Sequence, residues 1–155
     1  NFPVRENVRA DFLEAKLFNL KNEQKNSFDV FEQVVVELKY VLNESLSGCV
    51  LGLNLDRNGE LLACSFDSDE DEQRLKERKS GTYKVRVKLP YPLKSGSYTI
   101  SGVGIGIANV DGIDSLKSLF SFIVEENSFD PTFKSFSANR PGQLVTCLNW
   151  ETIRD

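Results

Sequence analysis

The chain has 155 residues, 40% hydrophobic and 27% charged, with a net charge of −4 and a pI near 5.0. That length suffices for one domain whose core needs no metal or disulfide. The acidic balance excludes a general nucleic-acid binder, which needs a basic face against phosphates, and disfavours adhesion to an anionic bilayer. Histidine is absent altogether. Catalytic triads, Cys–His dyads and histidine-ligated zinc are therefore excluded, and acid–base chemistry near neutral pH would fall to carboxylates with shifted pKa values.

Apolar residues recur with period two almost throughout, the pattern of strands with one buried face. A first strand is expected near 10–20. In the next, Val34, Val36, Leu38, Tyr40 and Leu42 alternate with Val35, Glu37, Lys39 and Val41. Cys49, Leu51, Leu53 and Leu55 then alternate with Val50, Gly52, Asn54 and Asp56. Asp56-Arg57-Asn58-Gly59 predicts a hairpin into a strand at 60–66, because Asn-Gly supplies the positive φ angles of such turns. Residues 67–80 form a charged connection, acidic first and basic after, with a brief helix expected within Asp69 to Arg78. Tyr83, Val85, Val87 and Leu89 alternate with Thr82, Lys84, Arg86 and Lys88. Strands follow near 97–108 and 117–125, with Ser115 to Phe120 expected as a turn or an edge strand. Residues 127–142 form a linker to a last strand at 143–150. So long a linker before a closing strand is unusual in a compact sandwich and is what a strand exchanged between subunits requires. The expected fold is all-β, an immunoglobulin-like or jelly-roll sandwich of about eight strands occupying residues 1–155 as one domain.

Cys49, Cys64 and Cys147 are odd in number, without a CxxC pair, and each lies in an apolar run; they are expected as small buried side chains in a reducing compartment. No signal peptide is visible and no apolar run approaches the ~20 residues of a membrane span. Asp67-Ser68-Asp69-Glu70-Asp71 imitates the opening of a calcium loop but has Glu72 where Gly is needed and Arg78 where Glu is needed, so no metal is expected. Gly102-Val103-Gly104-Ile105-Gly106 lies in a strand with no helix after it and is not a nucleotide loop. No cofactor is implied.

Those glycines carry a different expectation. With Val103, Ile105 and Ile107 in the core, Gly102, Gly104, Gly106 and Ala108 leave the opposite face bare. Tyr98 and Ile100 share the glycines' parity, so a bulge is expected near Ser101. Gly52 and Asn54 have the same non-core parity in their own strand. A bare sheet face admits close approach of a ligand or another backbone. The candidate carbohydrate-binding residues are therefore Gly52, Asn54, Gly102, Gly104 and Gly106, with Lys84 and Arg86 expected nearby and Phe66 beside a loop as a stacking aromatic. Tyr91 is a second stacking candidate, and Trp150 is expected in the core or a dimer interface.

Several segments in order resemble the C-terminal carbohydrate-binding domain of the ATP-binding subunit of O-antigen polysaccharide ABC transporters, the Wzt family. They are Gly52-Leu53-Asn54-Leu55-Asp56-Arg57-Asn58-Gly59, Gly81 to Val87, Leu93 to Ile100, Phe120 to Val124, and Gly142-Gln143-Leu144-Val145 through Trp150. The resemblance implies non-catalytic binding of the polysaccharide's non-reducing end, a homodimer that exchanges its last strand, and a cytoplasmic place at the inner membrane through the transporter. Its partners would be the O-antigen polysaccharide, an ATP-binding domain and a transmembrane permease, with no nucleic acid and no direct membrane insertion. A preceding nucleotide-binding domain would explain the missing Walker motifs, and a start at Asn1 with no Met agrees with an excised domain. Two other readings stand beside it: a sandwich that docks a protein on its glycine face, marked by a flat apolar patch, and a carboxylate enzyme, marked by two carboxyls facing across a cleft.

Overall fold

The computed structural model describes residues 2, 8–108, 114–127, 141–144 and 150–153, by backbone alone at 114–119. Two sheets face each other. The smaller has the order β1-β3-β6, formed by β1 (Ala10–Phe18), β3 (Val35–Leu42) and β6 (Gly81–Lys88). The larger has the order β2-β8-β7-β4-β5, formed by β2 (Ser27–Asp29), β8 (Asp114–Glu125), β7 (Gly96–Ile107), β4 (Cys49–Arg57) and β5 (Glu60–Phe66). All pairs are antiparallel except β2 with β8. The described residues thus give the expected all-β sandwich, with eight strands that include the short β2, which the alternation does not reveal.

Period-two alternation places the core between the sheets. From β3 come Val36, Leu38, Tyr40 and Leu42, and from β4 Cys49, Leu51, Leu53 and Leu55. They meet Phe12 of β1, Tyr98, Ile100, Val103 and Ile105 of β7, and Phe122 of β8. Burying each large side chain contributes about 1.5–3 kcal/mol before conformational entropy is charged against it. Tyr98 stacks on Phe122 with centroids 5.3 Å apart, and Phe28 meets Phe122 edge-on at 5.8 Å. The buried Tyr98 hydroxyl donates to the Lys94 carbonyl at 2.6 Å, so its one polar atom is satisfied.

The β4–β5 hairpin forms as its Asn-Gly pair dictates, with Asn58 at φ 51° and Gly59 at φ 85°. The Asn58 side-chain oxygen also accepts from Ser97 N at 3.1 Å, tying the turn to β7. The expected helix reduces to one 3-10 turn, Glu72–Leu75, capped by Asp71. Ser115 to Phe120 belongs to β8 and pairs with β7. The closing strand proposed within 143–150 and the linker at 127–142 lie largely outside the described residues. Segment 141–144 is described and rests on the hairpin base: Arg57 Nη1 donates to Gln143 Oε1 at 2.6 Å, and Lys94 Nζ to the Gly142 carbonyl at 2.9 Å.

Two expectations about burial need correction. Cys49 is buried, but Cys64 is exposed. Leu55 pairs with Ala63 and Asp56 with Leu61, so Leu62 is an extra residue that breaks the alternation of an outermost strand. Trp150 is 89% exposed, which removes the core alternative for it. Cys147 lies outside the described residues.

Candidate functional site

The outer face of the large sheet is assembled by register. β4 and β7 pair Val50 with Gly106, Gly52 with Gly104, and Asn54 with Gly102. Because Leu51, Leu53, Val103 and Ile105 point inward and are buried, the three β7 glycines, Gly52 and Asn54 share the outer face. On the next strand Phe66 pairs with Gly52 and Cys64 with Asn54. On the other side, Gly102 and Gly104 pair with the backbone of Lys117 and Ser115 in β8.

Phe66 shows why position 52 carries no side chain. A Cβ at Gly52 would lie 3.0 Å from Phe66 Cε1 and 3.2 Å from Cδ1. The ring therefore lies across the Gly52 backbone, and it remains 48% exposed. An aromatic ring seated on bare backbone, with much of its surface open, is a platform for the C–H face of a ligand.

Polar groups surround it. The bulge is where broken parity predicts: Asn54 pairs with Gly102 and Leu55 with Ile100, leaving Ser101 extra. Ser101 Oγ donates to Asp56 Oδ1 at 2.7 Å, and the hydroxyls of Thr99 and Ser121 share a hydrogen bond at 2.9 Å. Asn54 brings to this face an amide with two donor hydrogens and an acceptor oxygen. Asp56, Thr99, Ser101 and Ser121 were not singled out from the sequence, although the alternation that exposes Asn54 also exposes Asp56.

Lys84 and Arg86 are not part of this face. They lie in β6, in the other sheet, and serve a structural role there. Arg86 Nε meets Glu37 Oε2 at 2.7 Å and Lys84 Nζ meets Glu37 Oε1 at 3.1 Å. The Glu37 side chain is only 7% exposed between them. Burial works against its ionisation, but the hydrogen bonds from Arg86 and Lys84 outweigh burial and hold its carboxyl below the usual value. Arg86 also donates to Asn22 Oδ1 at 2.7 Å and lies over the Phe18 ring at 5.5 Å. Tyr91 is exposed but belongs to the turn after β6.

The acidic loop is likewise committed to the fold. Asp67 accepts from Leu51 N at 2.9 Å and from Arg78 Nη2 at 2.7 Å; Asp69 accepts from Phe66 N at 2.7 Å; Asp71 caps the 3-10 turn. Among the described residues no group of acidic or cysteine side chains is arranged to hold a metal.

These features define an open two-sheet β-sandwich with a glycine-rich, hydroxyl-bordered outer face. The profile of the Wzt C-terminal domain family matches residues 4–136, and the chain belongs to that family. The crystal structure of the C-terminal domain of Wzt is similar to it, with a TM-score of 0.66 and 18% identity, over 78% of this chain and 76% of that one. A search of curated proteins found no match. Membership places the chain among non-catalytic domains associated with O-antigen ABC transporters. No helix among the described residues is long and apolar enough to cross a membrane.

Proposed function

We propose that this domain binds the O-antigen polysaccharide, at its non-reducing end, and so couples completion of the chain to export. The observation that carries the reading is the Phe66 ring laid on Gly52, in register with Asn54, Gly102 and Gly104. Bare backbone lets a sugar ring approach closely, the aromatic ring receives its C–H face, and Asn54 meets its hydroxyls. Asp56, the carboxylate next to Asn54 along the outer face, is already engaged by Ser101, which suits a ligand without cationic groups. Family membership supports the transport context. In the full-length protein an ATP-binding domain and a transmembrane permease would hold this domain at the cytoplasmic side of the inner membrane.

Titration calorimetry against the source strain's O-polysaccharide tests the reading. Gly104→Leu is expected to abolish binding and Phe66→Ala to weaken it about tenfold, or about 1.4 kcal/mol, with circular dichroism unchanged. Undiminished affinity in Gly104→Leu would move the site elsewhere.

Homodimerisation through the C-terminal segment belongs to the same proposal. Trp150 and Ile153 are 89% and 77% exposed, the apolar surface a partner subunit would cover. Deleting 128–155 is expected to give a monomer or an unfolded chain in sedimentation experiments. A stable dimer after that deletion would refute the exchange.

A further inference from the structure

The two sheets leave an opening along one side. β5 is the outermost strand of the large sheet and β6 of the small one, and no described strand covers either edge. Between these edges lies a cleft of about 540 Å³, within the range of small-ligand sites. Ser65 and Phe66 form one wall, the β6 run from Val85 to Lys88 the other, and the loop bearing Asp69 and Arg74 the end. Beneath it a smaller apolar space of about 60 Å³ reaches Leu38, Leu51 and Leu53.

The end wall is built before any ligand arrives. Asp69 Oδ2 accepts from both Phe66 N at 2.7 Å and Ser65 Oγ at 3.2 Å. The Asp67–Arg78 pair closes the loop at 2.7 Å. A wall held in this way needs no ordering when a ligand binds. The facing strand edges present backbone N–H and C=O groups that must find partners in water or in a ligand. An apolar floor bordered by backbone and planar polar side chains matches a pyranose, whose hydroxyls radiate from apolar C–H faces.

Phe66 belongs to both places, since its ring covers Gly52 on the outer face while the same residue lines the cleft. We infer that the cleft is a second sugar subsite, joined to the glycine face around Phe66, which takes the units adjoining those on the glycines. The inference rests on the glycan reading above and extends it from a face to a path that turns the edge of β5.

The test separates the two. Calorimetry with the source strain's O-polysaccharide would compare the native chain, Gly104→Leu, and Ser65→Trp, which fills the cleft from an exposed position. Ser65→Trp is expected to weaken binding at least tenfold, and the amide signals of Ser65, Val85 and Val87 are expected to shift when polysaccharide is added to the native chain. Should Ser65→Trp not fold, the pair Glu70→Ala/Arg74→Ala on the exposed turn removes polar groups without adding bulk, with at least a threefold loss expected. Full affinity in the folded cleft variant, with still amide signals, overturns the subsite while leaving the face reading intact. Absence of polysaccharide binding by the native chain overturns both.

Discussion

Replacing Arg78 with methionine should expose how the 67–78 loop is held. The Arg78 guanidinium donates to Asp67 Oδ2 at 2.7 Å, to the Cys49 carbonyl at 2.9 Å, to the Arg74 carbonyl at 2.9 Å and to the Tyr40 hydroxyl at 3.3 Å. The Arg78 and Asp67 side chains are only 13% and 9% exposed, so solvent screens the pair little. Burial opposes the Arg78 charge, but Asp67 and Tyr40 stabilise it and raise its pKa above the ordinary value. Methionine keeps most of the volume and leaves Asp67 with Leu51 N as its remaining described partner. Breaking a buried pair from one side costs about 3–5 kcal/mol. Because Asp67 keeps one hydrogen bond, the lower end applies, and about 3 kcal/mol lowers the melting temperature of a domain this size by about 6–12 °C. Urea unfolding followed by circular dichroism measures the loss, and Asp67→Asn completes a double-mutant cycle. A loss below about 1 kcal/mol, or a cycle with no coupling, would show that the loop is held by something other than this pair.

Glu37→Gln should destabilise the small sheet by about 1–3 kcal/mol at neutral pH, since two cations lose their partner. Its folded pKa lies below the usual 4.5, so the unfolded chain binds the proton more readily. The stabilisation is therefore complete above the unfolded value and is lost as pH falls through the folded one. The native chain should thus lose stability over that acid window, and Glu37→Gln should lose less, as denaturant midpoints at pH 3 and pH 7 would reveal. Tyr98→Phe removes the hydroxyl bonded to the Lys94 carbonyl and should cost about 1 kcal/mol with stacking on Phe122 retained; a neutral result in thermal unfolding would argue against that bond. Gly59→Val, at φ 85°, should cost about 1–2 kcal/mol through backbone strain, although nothing lies within 4 Å of its missing Cβ; an unchanged urea midpoint would refute a strain origin.

Much of the architecture is legible because alternation and turn chemistry are local. β3, β4 and β6 follow from period two, the hairpin from Asn58-Gly59, and the bulge from the parity conflict between Ile100 and Gly102. The glycine face is legible for the same reason, since a side chain's face follows from parity alone. What parity omits is the sheet to which a strand belongs. Alternation gives Lys84 and Arg86 a sound face of their strand but not their neighbours, because pairing β6 with β3 is a long-range choice. Cys64 misleads because its apolar neighbours sit on an outermost strand bulged at Leu62. β2 is invisible because Ser27-Phe28-Asp29 has no pattern of its own and becomes a strand only against β8.

That last pairing governs the order in which the molecule can be assembled. β2 lies parallel to β8, with Val30 N bonded to the Glu125 carbonyl and Ile123 N to that of Asn26. The strands β3 to β7 all lie between the two along the chain, so Phe28 and Val30 have no finished seat until residue 125 is available. During synthesis the early strands would wait with these side chains uncovered while the later ones emerge, and closing so long a loop makes the final step slow. A chain arrested before β8 should accordingly be sticky and sensitive to proteases around residues 26–30, so that the domain's yield in a cell depends on how promptly its far end follows.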